Sequence, residues 1–71
     1  MQYSNLGSFI RIRRENLKCS LNSFALTNGI EPAVLSRIEN HKQGIKLDVL
    51  VKIASGFGQT VAEFLTEFES S

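Results

Sequence analysis

Apolar residues along this chain recur three and four positions apart, the spacing that gathers side chains on one face of a helix, and polar or glycine-containing breaks interrupt that rhythm at short intervals. Leu6, Phe9, Ile10 and Leu17 make a first stripe. Either Ser4 or Asn5 supplies the side-chain oxygen that starts this helix, which is expected to end near Lys18. Ser20 opens a second helix through LNSFALT with Phe24 and Ala25 inward, and Asn28 and Gly29 furnish the positive-φ residues of a sharp turn. Glu31 and Pro32 read as the entry to a third helix, because the missing proline N–H costs nothing at the first helical position. Along it Leu35 and Ile38 share a buried stripe, Ala33, Ser36, Arg37 and Asn40 fall on other faces, and the end is expected around Asn40 and His41. After the polar loop HKQGIK, the residues Leu47, Leu50, Val51, Ile53 and Ala54 describe a fourth helix stopped by Gly56 and Gly58. Thr60 caps a fifth, in which Val61, Phe64, Leu65 and Phe68 form the apolar stripe and Glu63 and Glu67 lie off it. No period-two run of β-branched residues appears, so the pattern predicts an all-α fold of about five helices.

Composition narrows this reading without redirecting it. The 71 residues suffice for one domain, 1–71, with a core over about 6–65 and short loose termini. A 42% hydrophobic and 21% charged content is that of an ordinary globular chain. The one cysteine, Cys19, excludes an internal disulfide and a cysteine-rich metal site, and it is expected to serve as a small buried hydrophobe in a reducing, cytoplasmic compartment. No secretory leader and no apolar run long enough to span a bilayer is present, so no membrane partner is expected. Net charge is only +1, but it is unevenly placed. Residues 1–46 carry seven Lys or Arg against three Glu, whereas residues 47–71 carry Lys52 against four acidic residues. A basic front and an acidic back can orient a small domain toward a polyanion even when the total is near zero.

The second and third helices, joined through Gly29, have helix-turn-helix spacing. The pieces LGSFIRIRRE, SLNSFA, GIEPAVLSRIEN, LDVLVKIASGFG and VAEFL, in that order, closely resemble the lambda-repressor-like, Cro-type helix-turn-helix family, the xenobiotic-response-element regulators. The resemblance implies a compact five-helix DNA-binding domain. It implies that Arg14 and Glu39 form a salt bridge tying helix one to helix three, the alternative being two solvated charges. It implies that the third helix enters the major groove and reads bases with Pro32, Ala33, Val34, Ser36 and Arg37. Of these, only Arg37 has the forked donors that suit guanine, while Ala33 and Val34 suit thymine methyl groups. Arg37 could instead meet a phosphate, or pair with Glu15 or Glu39. Phosphate contacts are implied at the start of helix two, Ser20, Leu21 and Asn22, and at a second clamp of Asn40, Lys42, Gln43 and Lys46. A single domain of this kind covers half an operator, so a homodimer is implied. Phe57, Val61, Phe64, Leu65 and Phe68 are more apolar residues than a short terminal helix needs to cover its own domain; some are expected to face the home core, and Phe64 or Phe68 to reach the second copy.

Some positions depart from the family pattern. Arg13 stands where an apolar residue is usual, so either the helix rotates or the arginine stem snorkels. Leu21 replaces a frequent glutamine, which leaves only its backbone N–H for a phosphate. His41 stands where glycine normally closes helix three, and a role for it as pH sensor or metal ligand lacks any second ligand at the right spacing. No catalytic constellation appears: the glycines at 56 and 58 lack the flanking strand and lysine of a nucleotide loop, and Glu63 and Glu67 share a solvated face. The sequence reading is therefore a bacterial or phage-derived regulator, not an enzyme, that binds double-stranded DNA as a homodimer on a short palindromic operator. No cofactor, metal or small-molecule ligand is expected, and a separate protein regulator is a possible partner. The alternative is a protein-interaction module, such as an antitoxin, that keeps the fold but binds a protein.

Overall fold

The computed structural model describes residues 5–70, and the alternative cap Ser4 lies outside them. Five helices follow one another: α1 (Leu6–Asn16), α2 (Leu21–Thr27), α3 (Pro32–Glu39), α4 (Leu47–Gly56) and α5 (Val61–Ser70). Three are started by side chains. The Asn5 Oδ1 accepts from the Ser8 N–H, and the Ser20 Oγ accepts from the Ser23 N–H. At α5 the Thr60 Oγ1 accepts from the Glu63 N–H while the Glu63 carboxylate accepts from the Thr60 N–H, a reciprocal capping box.

The ends of the first four helices share one device. In each, the residue after the cap adopts a left-handed conformation, and two N–H groups fold back onto the last carbonyls, a Schellman motif. Glycine fills the left-handed position after α2 and α4, at Gly29 (φ 71°) and Gly58 (φ 72°), but Lys18 (φ 60°) and His41 (φ 63°) fill it after α1 and α3. Thus α1 stops at Asn16, short of Lys18, because Lys18 already belongs to the turn. Asn28, expected to share the positive-φ role, keeps φ at −103°, and its side chain donates to the Phe24 carbonyl. Gly29 alone reverses the chain there.

The core draws on every helix: Phe9 and Ile10, Phe24 and Ala25, Leu35 and Ile38, Ile53 and Ala54, and Phe64, with Ile30 from the turn. The chain's five phenylalanines touch in sequence, Phe68 against Phe9, Phe9 against Phe64, Phe64 stacked on Phe57, and Phe57 against Phe24, at centroid separations of 4.9–5.7 Å. Three apolar residues depart from the expected stripes. Leu17 is 55% exposed because α1 has ended before it, while Leu47 and Val51, 70% and 49% exposed, lie on the outer side of α4. Cys19 is half-buried and packs against the core.

Arg13 neither rotates the helix away nor hangs in solvent. Its guanidinium lies 4.6 Å from the centroid of the Phe57 ring and donates to Gln59 Oε1 at 2.6 Å and to Glu67 at 2.8 Å. The stem and charge together cover the Phe9, Phe57 and Phe64 rings, so a cation fills a place where an apolar residue would also fit.

Candidate nucleic-acid interface

The candidate surface begins with how α3 is held. Arg14 Nε and Nη2 donate to both oxygens of Glu39 at 2.8 and 2.9 Å, and Arg14 Nη1 donates to the Cys19 carbonyl at 2.8 Å. One guanidinium therefore joins α1, the lead-in to α2, and the last turn of α3. Both side chains are almost wholly buried, so their charges are not available to a ligand. The Glu39 hydrogen bond raises the Arg14 guanidinium above its already high ordinary value, burial opposing, so the cation persists at any pH at which proteins fold. Together, α1 and α2 pack on the inner face of α3 and leave its outer face open.

On that outer face Ala33, Arg37 and Asn40 are exposed, and Pro32, Val34 and Ser36 are half-exposed. Val34 turns partly inward, packing against the core, which leaves less of it for a base than the sequence suggested. Pro32 opens the helix with no side-chain cap from Glu31, and the Val34 and Leu35 N–H groups both reach the Glu31 carbonyl. The Ala33 N–H is the one donor at this end without an intrahelical acceptor. Arg37 pairs with neither Glu15 nor Glu39: Glu39 is taken by Arg14, and Glu15 by Arg11 at 3.4 Å. Instead Arg37 Nε donates to Gln43 Oε1 at 2.6 Å. Asn40 Nδ2 turns back onto the Ser36 carbonyl at 2.9 Å.

Residues 41–46 extend this surface. Because His41 is left-handed, its N–H reaches the Ile38 carbonyl and the Lys42 N–H reaches the Arg37 carbonyl, folding the loop against the end of α3. The His41 ring turns the other way, its Nε2 3.3 Å from Asn5 Nδ2 and 3.4 Å from Ser8 Oγ at the start of α1. No three His, Cys, Asp or Glu side chains converge on a metal-sized site among the described residues. Lys42, Gln43 and Lys46 are exposed. Among the described residues Arg11, Arg13 and Arg14 are all engaged in ion pairs, while none forms at Arg37, Lys42 or Lys46. Internal pairing thus neutralises the arginines of α1, and of the cations left without an ion pair among the described residues, Arg37, Lys42 and Lys46 lie on α3 and the loop after it, with Lys18 and Lys52 elsewhere. At the start of α2 Ser20 spends its oxygen on Ser23 and Leu21 is half-buried against the core, while the Leu21 and Asn22 N–H groups lack intrahelical partners.

The residues assigned to a dimer surface divide. Phe64 has no exposed surface and lies between Phe9 and Phe57, so the expectation that it reaches a second copy gives way to a core role. Phe57, Val61, Leu65 and Phe68 are half-buried and pack on the core from outside.

A short helix, a glycine turn and a second helix carried on its inner side by a buried ion pair define a helix-turn-helix domain, and comparison with known proteins agrees. The chain belongs to the helix-turn-helix family HTH_3, whose model matches residues 10–64. Over 59 residues it is 34% identical to control protein C.MunI of Mycoplasma sp, covering 83% of this chain and 80% of that protein. It is similar in structure to an HTH_3 family transcriptional regulator from Vibrio cholerae, with a TM-score of 0.75 and 26% identity over 86% of this chain. It shares the fold of the clp gene regulator ClgR from Corynebacterium glutamicum, with a TM-score of 0.73 and 24% identity over 86% of this chain. The chain spans only 34% of the Vibrio protein and 65% of the Corynebacterium one. It is a DNA-binding transcriptional regulator, and its family is not one of enzymes. Among the described residues, no helix is long and apolar enough to cross a membrane.

Proposed function

We propose that the protein acts in the cytoplasm as a homodimer that binds a short palindromic operator and represses or autoregulates nearby genes. The observation that carries this reading is the outer face of α3, free of intramolecular ion pairs and continuous with Arg37, Lys42 and Lys46. In this reading α3 lies in the major groove. Arg37 reads a guanine, Ala33 and the exposed part of Val34 meet thymine methyl groups, and Pro32 and Ser36 approach the groove wall. Lys42, Lys46 and Asn40 face one stretch of backbone, and the Leu21 and Asn22 N–H groups with Ser20 face another. Two copies place their recognition helices about 34 Å apart, one turn of DNA. The second copy docks on α5 at Val61, Leu65 and Phe68, with Phe57 at the edge. Of the regulatory roles open to such a chain, the similarity to a control protein favours a controller of gene expression over an antitoxin.

Selection of bound sequences from a random duplex pool tests this directly. Recovery of an inverted repeat with half-sites about one turn apart supports the reading. Enrichment of no repeat at modest salt, or an affinity indifferent to salt, would overturn it, because contacts to several phosphates release counterions and must weaken steeply as salt rises.

A further inference from the structure

The hydrogen bond from Arg37 to Gln43 does more than occupy a donor. A guanidinium has no acceptor, so the Gln43 amide must present its oxygen to Arg37, and its NH2 must face away. Arg37 uses only Nε in this contact, which leaves both terminal nitrogens, the pair that lies parallel to the O6 and N7 edge of guanine, free for a base. An unheld arginine on an exposed helix face samples many rotamers, and binding must then order it. Here the bond to Gln43 narrows that choice before DNA arrives. Gln43 itself is placed by the backbone: the Lys42 N–H bonds the carbonyl of Arg37, so the loop residue next to Gln43 and the arginine are tied at main chain as well as side chain. The left-handed conformation of His41 makes that fold-back possible.

We infer that Gln43 is a specificity-positioning residue, which holds the Arg37 guanidinium with its terminal fork presented to a guanine, rather than one more contact to the phosphate backbone. This rests on the reading of Arg37 as the base-contacting residue.

The test is a double-mutant cycle on duplex DNA. Affinities of the wild type, Arg37→Ala, Gln43→Ala and the double variant are measured for the selected operator and for single base-pair variants at every half-site position. Thermal unfolding of each variant reports on the fold, and both side chains are exposed, so all four proteins are expected to stay folded. A bidentate guanine contact supplies about 5- to 150-fold discrimination, so Arg37→Ala should abolish the preference at one position, and Gln43→Ala should lower it at that same position by about three- to tenfold. In the Arg37→Ala background, Gln43→Ala should change that preference no further. Uniform weakening of all sequences by Gln43→Ala, with the guanine preference intact, would assign Gln43 to the phosphates and overturn the inference while leaving Arg37 as the reader. Loss of no preference in Arg37→Ala would overturn both.

Discussion

Gly7 lies where the first turn of α1 meets the end of α3, so close that a Cβ there would overlap the Ile38 carbonyl and crowd the His41 ring. A carbonyl of a well-ordered helix cannot move aside as a side chain can. Gly7→Ala is therefore expected to destabilise the domain by about 2 kcal/mol or more, read from a lower denaturant midpoint at constant slope. His41 makes the opposite case, since its own backbone is the constraint. Replacement by a β-branched residue at φ 63° should cost about 1–2 kcal/mol, so His41→Val is expected to lower stability by that amount in chemical unfolding. His41→Gly should come out near neutral, because easier access to the left-handed region offsets the lost ring contacts and the larger unfolded-state entropy. The position of His41 at the helix end was legible from the family pattern. That Gly7 marks a close helix crossing was not, because nothing local distinguishes it from any other glycine in a helix, and only the packing of α1 on α3 gives it a purpose.

At the level of elements, the Arg14 and Glu39 pair fixes how α3 sits on α1 and on the entry to α2. With both side chains nearly excluded from water, Arg14→Ala or Glu39→Ala should each cost about 3–5 kcal/mol, since either leaves an uncompensated buried charge. The double variant is expected to lose little beyond the worse single one, and a strictly additive loss in calorimetry would argue against a coupled pair. Helix existence, order and type were readable from apolar spacing and cap residues, and the caps at Asn5, Ser20 and Thr60 fall where the sequence puts them. Which apolar residues face outward was less readable. Leu47 and Val51 continue the stripe of α4 by composition, yet the helix is rotated so that Leu50, Ile53 and Ala54 meet the core. A four-residue window of apolar side chains cannot reveal a rotation that other helices impose. The partner of Arg37 was likewise hidden, since it depends on a loop whose path is set by a left-handed histidine.

For the whole molecule, the decisive quantity is where charge remains after internal pairing. The +4 of the first 46 residues already counts the Arg14–Glu39 pair, and it still overstates the field available to DNA, because Arg13 is paired with Glu67 from the acidic remainder of the chain. Of the five cations without an ion pair among the described residues, three, Arg37, Lys42 and Lys46, lie at α3 and the loop after it. Lys42→Ala and Lys46→Ala should each weaken binding evenly across sequences and reduce the slope of log affinity against log salt by about 1. At α5, Leu65→Glu should shift the protein toward a monomer in sedimentation and weaken operator binding in parallel, whereas a dimer that survived it would move the interface off α5.

The line of phenylalanine rings from Phe24 to Phe68 has a practical corollary. With no tryptophan in the chain, its unfolding has no tryptophan fluorescence to report it, but each ring imposes its current on the next. The resulting upfield-shifted proton resonances of α1, α2 and α5 should disappear together on heating. A chain cut after Gly58 would take the Phe64 and Phe68 rings from Phe9 and the Phe64 ring from Phe57, so α5 is an integral wall of the domain and not an appendage that dimerisation recruits.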